Sequence, residues 1–149
     1  MAELHPIPMR TPEKVELLAI RGNFRDRLAL QSILLHTNWL VHWVADEREA
    51  MLFLEDHPVP VVICPEEIPD GSWSDLLSGA QELANAPKVL IYSDRDDPAF
   101  GNEVISAGAY DLLSMPLQRD EVLRAIRLAF RRWREEIRHP QVLTAGMTA

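Results

Sequence analysis

Short apolar runs alternate with helical patterns along most of the chain, and this alternation constrains the fold more than any other feature. Five runs have strand character: VELLAI (15–20), WLVHWVA (39–45), VPVVIC (59–64), KVLIYS (88–93) and YDLLS (110–114). Helical patterns follow them over 24–37, 47–56, 74–85, 98–107 and 119–139. Such alternation predicts a parallel sheet joined by right-handed crossovers, with helices on both of its faces.

The length of the chain favours a single domain. With 149 residues, of which 47% are hydrophobic, the chain can bury one full core but not two. We expect this domain to span 14–139. The proline-containing stretch 1–13 is interpreted as an irregular lead-in and 140–149 as a flexible tail too short to form a further domain.

Charge and composition narrow the function classes. A formal net charge of -8 argues against nucleic-acid binding, since a phosphate backbone favours clustered positive charge. The single cysteine cannot form an internal disulfide, and the amino terminus does not resemble a secretion signal. No apolar run approaches the roughly 20 residues that cross a bilayer. We therefore expect a cytoplasmic protein without membrane contact.

Three segments carry a resemblance to a known family. PVVICPEEIPDGSWSDLL (60–77), APKVLIYSDRDD (86–97) and EVISAGAYDLLSMPLQRDEVLRAI (103–126) resemble the receiver domain of two-component response regulators. The resemblance covers about 15–135. It implies a flavodoxin-like (βα)5 sandwich, a five-stranded parallel sheet of order 2-1-3-4-5, and a functional crevice at the carboxyl ends of the strands.

The residues at the family's reactive positions depart from its pattern. The two acidic residues that hold Mg²⁺ correspond to Arg21 and Gly22, and the phospho-accepting aspartate corresponds to Pro65. The lysine that contacts the phosphoryl group corresponds to Met115, so that only the hydroxyl position is kept, as Ser93. Nucleophile, metal ligands and cation are absent together, which predicts a degenerate pseudo-receiver without enzymatic activity, metal or cofactor.

Two further family positions lie near the last strand. The aromatic residue that switches rotamer in many receivers corresponds to Leu112, which has no hydroxyl to bury. The bond between Met115 and Pro116 is commonly cis in the family, and we expect the tight turn to keep that isomer.

Other candidate groups have ordinary structural interpretations. Glu66 and Glu67 are interpreted as solvated loop charges, and Ser93 as a hydroxyl that bonds to backbone. Cys64 ends a central strand, where a free cysteine usually behaves as a small hydrophobe; a thiolate activated by Arg21 is the less favoured alternative. Three acids before the fourth helix favour its amino-terminal dipole more than a metal site: Asp94, Asp96 and Asp97.

The last helix offers a surface for a partner. Its apolar stripe ends in Trp133 and Ile137, which we expect to project past the domain edge onto another chain. Its basic face includes Arg124, Arg127, Arg131 and Arg134. A solvated helix explains this face equally well, but pairing with an acidic protein surface is the sharper hypothesis. The family resemblance favours a homodimer through helix 4, strand 5 and helix 5.

Two tryptophans on the second strand complete the set of candidates. Trp39 and Trp43 lie four residues apart and point to the same side of the strand. Covering the junction between helix and sheet is favoured over an exposed binding patch.

Three hypotheses for function follow. The first is a stand-alone, phosphorylation-independent receiver-like signalling module that acts through protein contacts. The second is a phosphorelay receiver that uses a non-standard acceptor. The third is a sensor for an anion or small molecule in the former crevice, lined by Arg21, Cys64, Ser93 and Met115.

Overall fold

The computed structural model describes residues 14–138. The expected lead-in (1–13), the tail (140–149) and residue 139 lie outside the described residues. In the described part, no helix is long and apolar enough to cross a membrane.

A parallel five-stranded sheet forms the centre of the domain. Its strands are β1 (Glu16–Ile20), β2 (Leu40–Val44), β3 (Val61–Pro65), β6 (Lys88–Ser93) and β7 (Asp111–Ser114), in the order β2-β1-β3-β6-β7. The helices are α1 (Phe24–Leu35), α2 (Glu47–Asp56), α3 (Trp73–Gln81), α4 (Pro98–Ala107) and α5 (Arg119–Arg138). The predicted flavodoxin-like fold and strand order are therefore confirmed.

A short antiparallel hairpin, which the strand pattern did not predict, follows β3. It consists of β4 (Glu67–Ile68) and β5 (Gly71–Ser72), joined by Pro69 and Asp70. Asp70 has a φ of 58°, so the left-handed position of the turn belongs to the aspartate and not to the glycine after it. Two-residue strands are too short to show periodicity, which explains why the sequence pattern missed them.

Side-chain caps explain where the helices begin. Asp97 caps α4 by accepting from the backbone N–H of Phe100 at 2.6 Å, and Pro98 occupies the first helical turn. Gly108 ends this helix with a φ of 112°, in the left-handed conformation that glycine adopts readily. Asp46 caps α2 by accepting a bond of 2.9 Å from the backbone N–H of Glu49.

Each face of the sheet is covered by its own apolar cluster. Between the sheet and helices α1 and α5, the cluster includes Leu17, Ile63 and Tyr92. The cluster on the opposite face lies beneath α2, α3 and α4 and includes Cys64 and Trp73. Residues that alternate along one strand therefore serve two different cores.

The carboxyl-terminal turns of α5 pack on the domain itself. Trp133 is only half-exposed, and its Nε1 donates to the backbone oxygen of Asn85 at 3.1 Å. Next to it, Lys88 pairs with Glu136 at 2.7 Å. The expectation that Trp133 projects past the domain edge is therefore wrong, because the loop before β6 provides its partner; Ile137 remains 36% exposed.

Trp39 and Trp43 lie where the alternation predicts. Both are half-buried and pack against the cluster beneath α1 and α5, and the guanidinium of Arg127 lies 5.6 Å from the ring centroid of Trp39. Covering the junction between helix and sheet is thus part of their role, although neither ring is fully enclosed.

Candidate functional site: a filled crevice at the strand ends

An open cleft of about 880 Å³ lies at the carboxyl ends of β3, β6 and β7, beside the start of α1. In a doubly wound sheet this is the place where ligands usually bind. The cleft is lined by Asn23, Phe24, Arg25, Asp26, Pro65, Glu66, Glu67, Tyr92, Ser93, Asp94, Met115 and Pro116. The cleft thus brings together Pro65, Ser93, Met115 and Pro116 of the predicted site residues.

Beside this cleft, residues from β3, β6 and the loop after β1 pack closely against one another. Pro65 and Tyr92 are register partners in the β3–β6 pair, and both are buried. A Cβ built on Gly22 would lie 3.0 Å from the Tyr92 hydroxyl oxygen and 3.3 Å from Pro65 Cβ. Gly22, Pro65 and the tip of the Tyr92 ring therefore pack closely together beside the cleft.

The hydroxyl of Tyr92 has no hydrogen-bond partner among the described residues, although Tyr92 is only 1% exposed. Burial raises the pKa of this hydroxyl above its ordinary value, and the nearby charge of Asp26 raises it further. The hydroxyl is therefore neutral at physiological pH. A buried, unpaired hydroxyl costs stability, which makes it an unusual group in a central strand.

A polar network closes one side of the cleft. Ser93 Oγ donates to Glu66 Oε1 at 2.5 Å, and Glu66 Oε2 accepts from Arg95 Nη1 at 3.2 Å. Arg95 also pairs with Asp97 at 3.2 Å and lies over the Phe100 ring, 4.2 Å from its centroid. Arg95 thereby connects the loop after β3 to the start of α4.

This network corrects two expectations. Glu66 is not a freely solvated loop charge, because Ser93 and Arg95 both bond to its carboxylate. Ser93 is not bonded to backbone alone, although its Oγ does accept from the backbone N–H of Arg95 at 2.9 Å. Glu67, by contrast, is exposed as expected. The side-chain direction at the end of β3 decides these contacts, and spacing along the sequence does not reveal it.

The residues around the last strand also keep their expected places. The bond between Met115 and Pro116 is cis. Met115 packs against the cluster beneath α1 and α5, and it supplies no charge to the cleft. Leu112 packs against the cluster beneath α2, α3 and α4. A Cβ built on Gly101 of α4 would lie 3.9 Å from its Cδ2.

Two residues expected to line the crevice do not line it. Cys64 is 0% exposed and faces the cluster beneath α2, α3 and α4. Burial raises the pKa of its thiol, which opposes formation of a thiolate in the folded state. Arg21 is exposed outside the cleft, where its backbone N–H donates to Val44 at 3.0 Å.

The charge of the lining differs from what an anion site requires. Four carboxylates line the cleft, from Asp26, Glu66, Glu67 and Asp94, against one guanidinium from Arg25. With Glu66 paired to Arg95, the remaining three carboxylates still outnumber Arg25, and this balance disfavours an anion. The anion sensor therefore loses the support that a positive Arg21 in the crevice would have supplied.

The donor set does not fit the Mg²⁺ of the receiver family. A hard divalent cation prefers carboxylate, carbonyl and water oxygens, and the side chains of Arg21 and Gly22 offer none of these. Among residues 14–138, no group of three or more His, Cys, Asp or Glu side chains is arranged to hold a metal ion.

Sequence reasoning missed the residue that fills the site. Tyr92 breaks the aliphatic run of KVLIYS one position before the strand ends, and this irregularity was the available signal. Arg95 and Asp26 were missed because their roles depend on loop and helix-start geometry, for which a single sequence carries no periodic pattern.

Sequence comparisons place these features in a family context. No protein-family model matches the chain. The transcriptional regulatory protein KdpE of Mycobacterium tuberculosis is 35% identical over 95 residues, which cover 62% of this chain and 42% of that protein. UhpA of Salmonella typhimurium is 31% identical over 109 residues, covering 73% of this chain and 52% of that protein. The chain therefore spans about half the length of the curated relatives it matches.

Comparisons with solved structures agree on the fold. The chemotaxis response regulator CheY4 of Vibrio cholerae superposes with a TM-score of 0.70 at 18% identity, over 78% of this chain and 99% of that one. A signal receiver domain from Pseudomonas fluorescens Pf-5 gives 0.76 at 22% identity, over 86% and 95%. The fold is that of CheY-like domains. Together with the sequence similarity, it supports a response-regulator receiver domain of the two-component class.

Proposed function

We propose that this chain is a receiver-like signalling module that acts through protein contacts and does not depend on phosphorylation. The arrangement of Gly22, Pro65 and Tyr92 supports this proposal best, because it leaves no carboxylate where the family carries its acceptor and metal ligands. Phosphoryl transfer depends on positioned metal, nucleophile and cation together, so a single substitution elsewhere does not replace them. No catalytic turnover is part of this proposal.

The network around Glu66 supports a module held in one state. Ser93 is the hydroxyl that the family positions beside an incoming phosphoryl group, and here it already donates to a carboxylate of the same chain. Arg95 balances the charge of that carboxylate and joins it to the start of α4. Because the Ser93 hydroxyl is already hydrogen-bonded to Glu66, its position does not depend on an added phosphoryl group.

A direct mass measurement tests the proposal. The protein is incubated with acetyl phosphate and Mg²⁺, and its intact mass is recorded before and after. We expect no covalent phosphoryl adduct, and an active receiver domain treated in parallel serves as the positive control. A stable adduct on the wild-type chain would overturn the proposal and favour the second hypothesis, a non-standard acceptor.

Two variants locate any such acceptor. Asp26 and Glu66 are cleft-lining carboxylates beside Pro65 and Tyr92, so Asp26→Asn and Glu66→Gln are the informative substitutions. An adduct that persists in both variants would direct attention to a residue outside this pair. An adduct that disappears in one variant would identify the acceptor.

The partner is a second part of the proposal. We propose a protein partner, a second copy of the chain included, and no nucleic acid, since the net charge of -8 opposes phosphate backbones. The face formed by α4, β7 and α5 is one candidate surface, with Ile105 and Leu128 exposed by 49% and 45%. The outer side of α1 exposes more apolar surface than this face, with Phe24, Leu28 and Leu35 all exposed.

A further inference from the structure

The outer face of α1 is unusually apolar for a surface helix. Six of its residues are exposed: Phe24, Arg25, Leu28, Gln31, Ser32 and Leu35. Three of the six are large and hydrophobic, with exposed fractions of 66% for Phe24, 47% for Leu28 and 70% for Leu35. Only Arg25 carries a charge. A helix that is apolar on both its inner and outer faces is normally covered on both.

The other helices do not share this property. The exposed residues of α2 are Arg48, Glu49, Leu52, Glu55 and Asp56, so a single leucine is surrounded by charges. On α5, exposed Leu128 has Arg124, Arg131 and Arg132 as its neighbours one helical turn away. On α4, Ile105 is the one large hydrophobic residue among seven exposed positions. The apolar surface of the described domain is therefore concentrated on α1.

The spacing of the α1 stripe matches itself in reverse. Its members Phe24, Leu28, Gln31 and Leu35 follow one another at intervals of four, three and four, which places them on one line along the helix. In an antiparallel pair of such helices, Phe24 faces Leu35 of the other copy and Leu28 faces Gln31. A two-fold contact requires this self-complementarity.

We propose that α1 is the two-fold contact through which two copies of this chain associate. The two helices pack antiparallel along the stripe, with the axis between Leu28 and Gln31. No carboxylate lies among the exposed residues of α1. Its two arginines flank the stripe: Arg25 is exposed beside it, and half-buried Arg27 lies 5.4 Å from the ring centroid of Phe24. The centre of the contact, between Leu28 and Gln31, therefore opposes no like charges, and the occupant that best fits a self-matching stripe is a second copy of the same stripe.

The edge strand widens this contact. A stable interface buries about 800 Å² on each partner, and a helix of 12 residues, about 18 Å long, supplies only part of that area. β2 lies at the edge of the sheet. Three alternate residues in and just before this strand face the α1 side and are half-buried: Trp39, Val41 and Trp43. Their accessible parts add apolar surface on the same side of the sheet as α1.

Sedimentation equilibrium over a range of protein concentrations tests this contact. We expect the wild type to be a dimer, and Leu28→Glu to raise its dissociation constant by about 100-fold or more, because dimerisation would bury a carboxylate. Gln31→Leu is the opposite variant. It places a leucine against Leu28 of the partner and is expected to lower the dissociation constant by about tenfold.

Matched controls separate this face from the alternatives. Leu52→Glu on α2 introduces the same charge at a leucine with 55% exposure, and it should leave dimerisation unchanged. Ile105→Glu and Leu128→Glu do the same on the face formed by α4, β7 and α5. Circular dichroism confirms that each variant is folded, and since all these side chains are exposed, the fold is expected to persist.

Three results would overturn the inference. If the wild type stays monomeric at high concentration, the stripe is not a contact between two copies, and it either binds a different partner or faces solvent. A dimer that survives Leu28→Glu but dissociates on Ile105→Glu or Leu128→Glu would place the contact on the rival face. A dimer that survives all of them would lie elsewhere. The mass measurement with acetyl phosphate is independent of each result, so failure of the dimer contact is distinguishable from failure of the proposed function.

Discussion

The hydroxyl oxygen of Tyr92 lies 3.0 Å from the point that a Cβ on Gly22 would occupy. This relationship joins the end of β1 to the end of β6 across the base of the cleft. It gives a physical reason for glycine at a position where the family has an acid, since Tyr92 is 1% exposed and is enclosed by the core. Four predictions follow from this contact and its neighbours.

The first prediction concerns the coupling between these two residues. Gly22→Ala should destabilise the protein by about 1–3 kcal/mol, because the added methyl group overpacks a site whose neighbours have little freedom to move. The same substitution in a Tyr92→Phe background should cost less, since the atom in closest contact is gone. Urea denaturation of the two single variants and the double variant gives the coupling energy. Strict additivity would show that the hydroxyl does not restrict residue 22.

The second prediction concerns the unpaired hydroxyl itself. Tyr92→Phe should leave stability unchanged or raise it by about 1 kcal/mol, because the substitution removes a buried donor without a partner and keeps the ring. Thermal unfolding measures the effect. A loss of more than about 1 kcal/mol would mean that the hydroxyl has a partner in solution, such as an ordered water.

The third prediction concerns Cys64. Its thiol is 0% exposed and burial raises its pKa, so alkylating reagents should not modify the native protein on the timescale on which they modify a free thiol. Addition of denaturant should expose the group to complete modification. Intact mass spectrometry follows both reactions. Rapid alkylation without denaturant would reveal local opening of β3 or a different placement of the side chain.

The fourth prediction concerns the dependence of stability on pH. The backbone N–H of Phe100 holds the pKa of Asp97 below its ordinary value of 3.8, and Arg95 contributes in the same direction. A lowered pKa in the folded state stabilises the protein above the ordinary value, and this contribution disappears as the pH falls through the folded pKa. The start of α4 should therefore weaken only in strong acid.

Asp97→Asn isolates that contribution. Asparagine retains an oxygen that caps the helix but has no charge to titrate. The difference in unfolding free energy between wild type and variant should be constant near neutral pH and should shrink as the pH is lowered from about 4 toward 2. A constant difference over the whole range would assign the effect to a group other than Asp97.

The elements that sequence patterns predicted best are those with local signals at both ends. The bounds of α4 were predicted to the residue, because Asp97, Pro98 and Gly108 act on the backbone directly beside them. The start of α3 at Trp73 was placed one residue late, since the capping role of Ser72 depends on the β4–β5 hairpin before it. Local chemistry is readable in a sequence, whereas an element defined by its neighbours in space is not.

The same distinction applies to the site. The family resemblance assigned Pro65 and Met115 to one crevice, and both residues do line the cleft. The bond between Ser93 and Glu66 joins positions 27 residues apart, and the packing of Tyr92 against Gly22 joins positions still farther apart. Such contacts depend on strand register and side-chain direction, so that only the folded arrangement reveals them.

The packing of Tyr92 between Gly22 and Pro65 also has an evolutionary consequence. An acid introduced at residue 22 needs the space that the tyrosine hydroxyl occupies, so the tyrosine must be replaced before that acid confers any benefit. A first step of this kind brings no new chemistry on its own, and selection has no reason to keep it. Tyr92 therefore opposes an acid at residue 22 through the shape of the core, independently of any signalling partner.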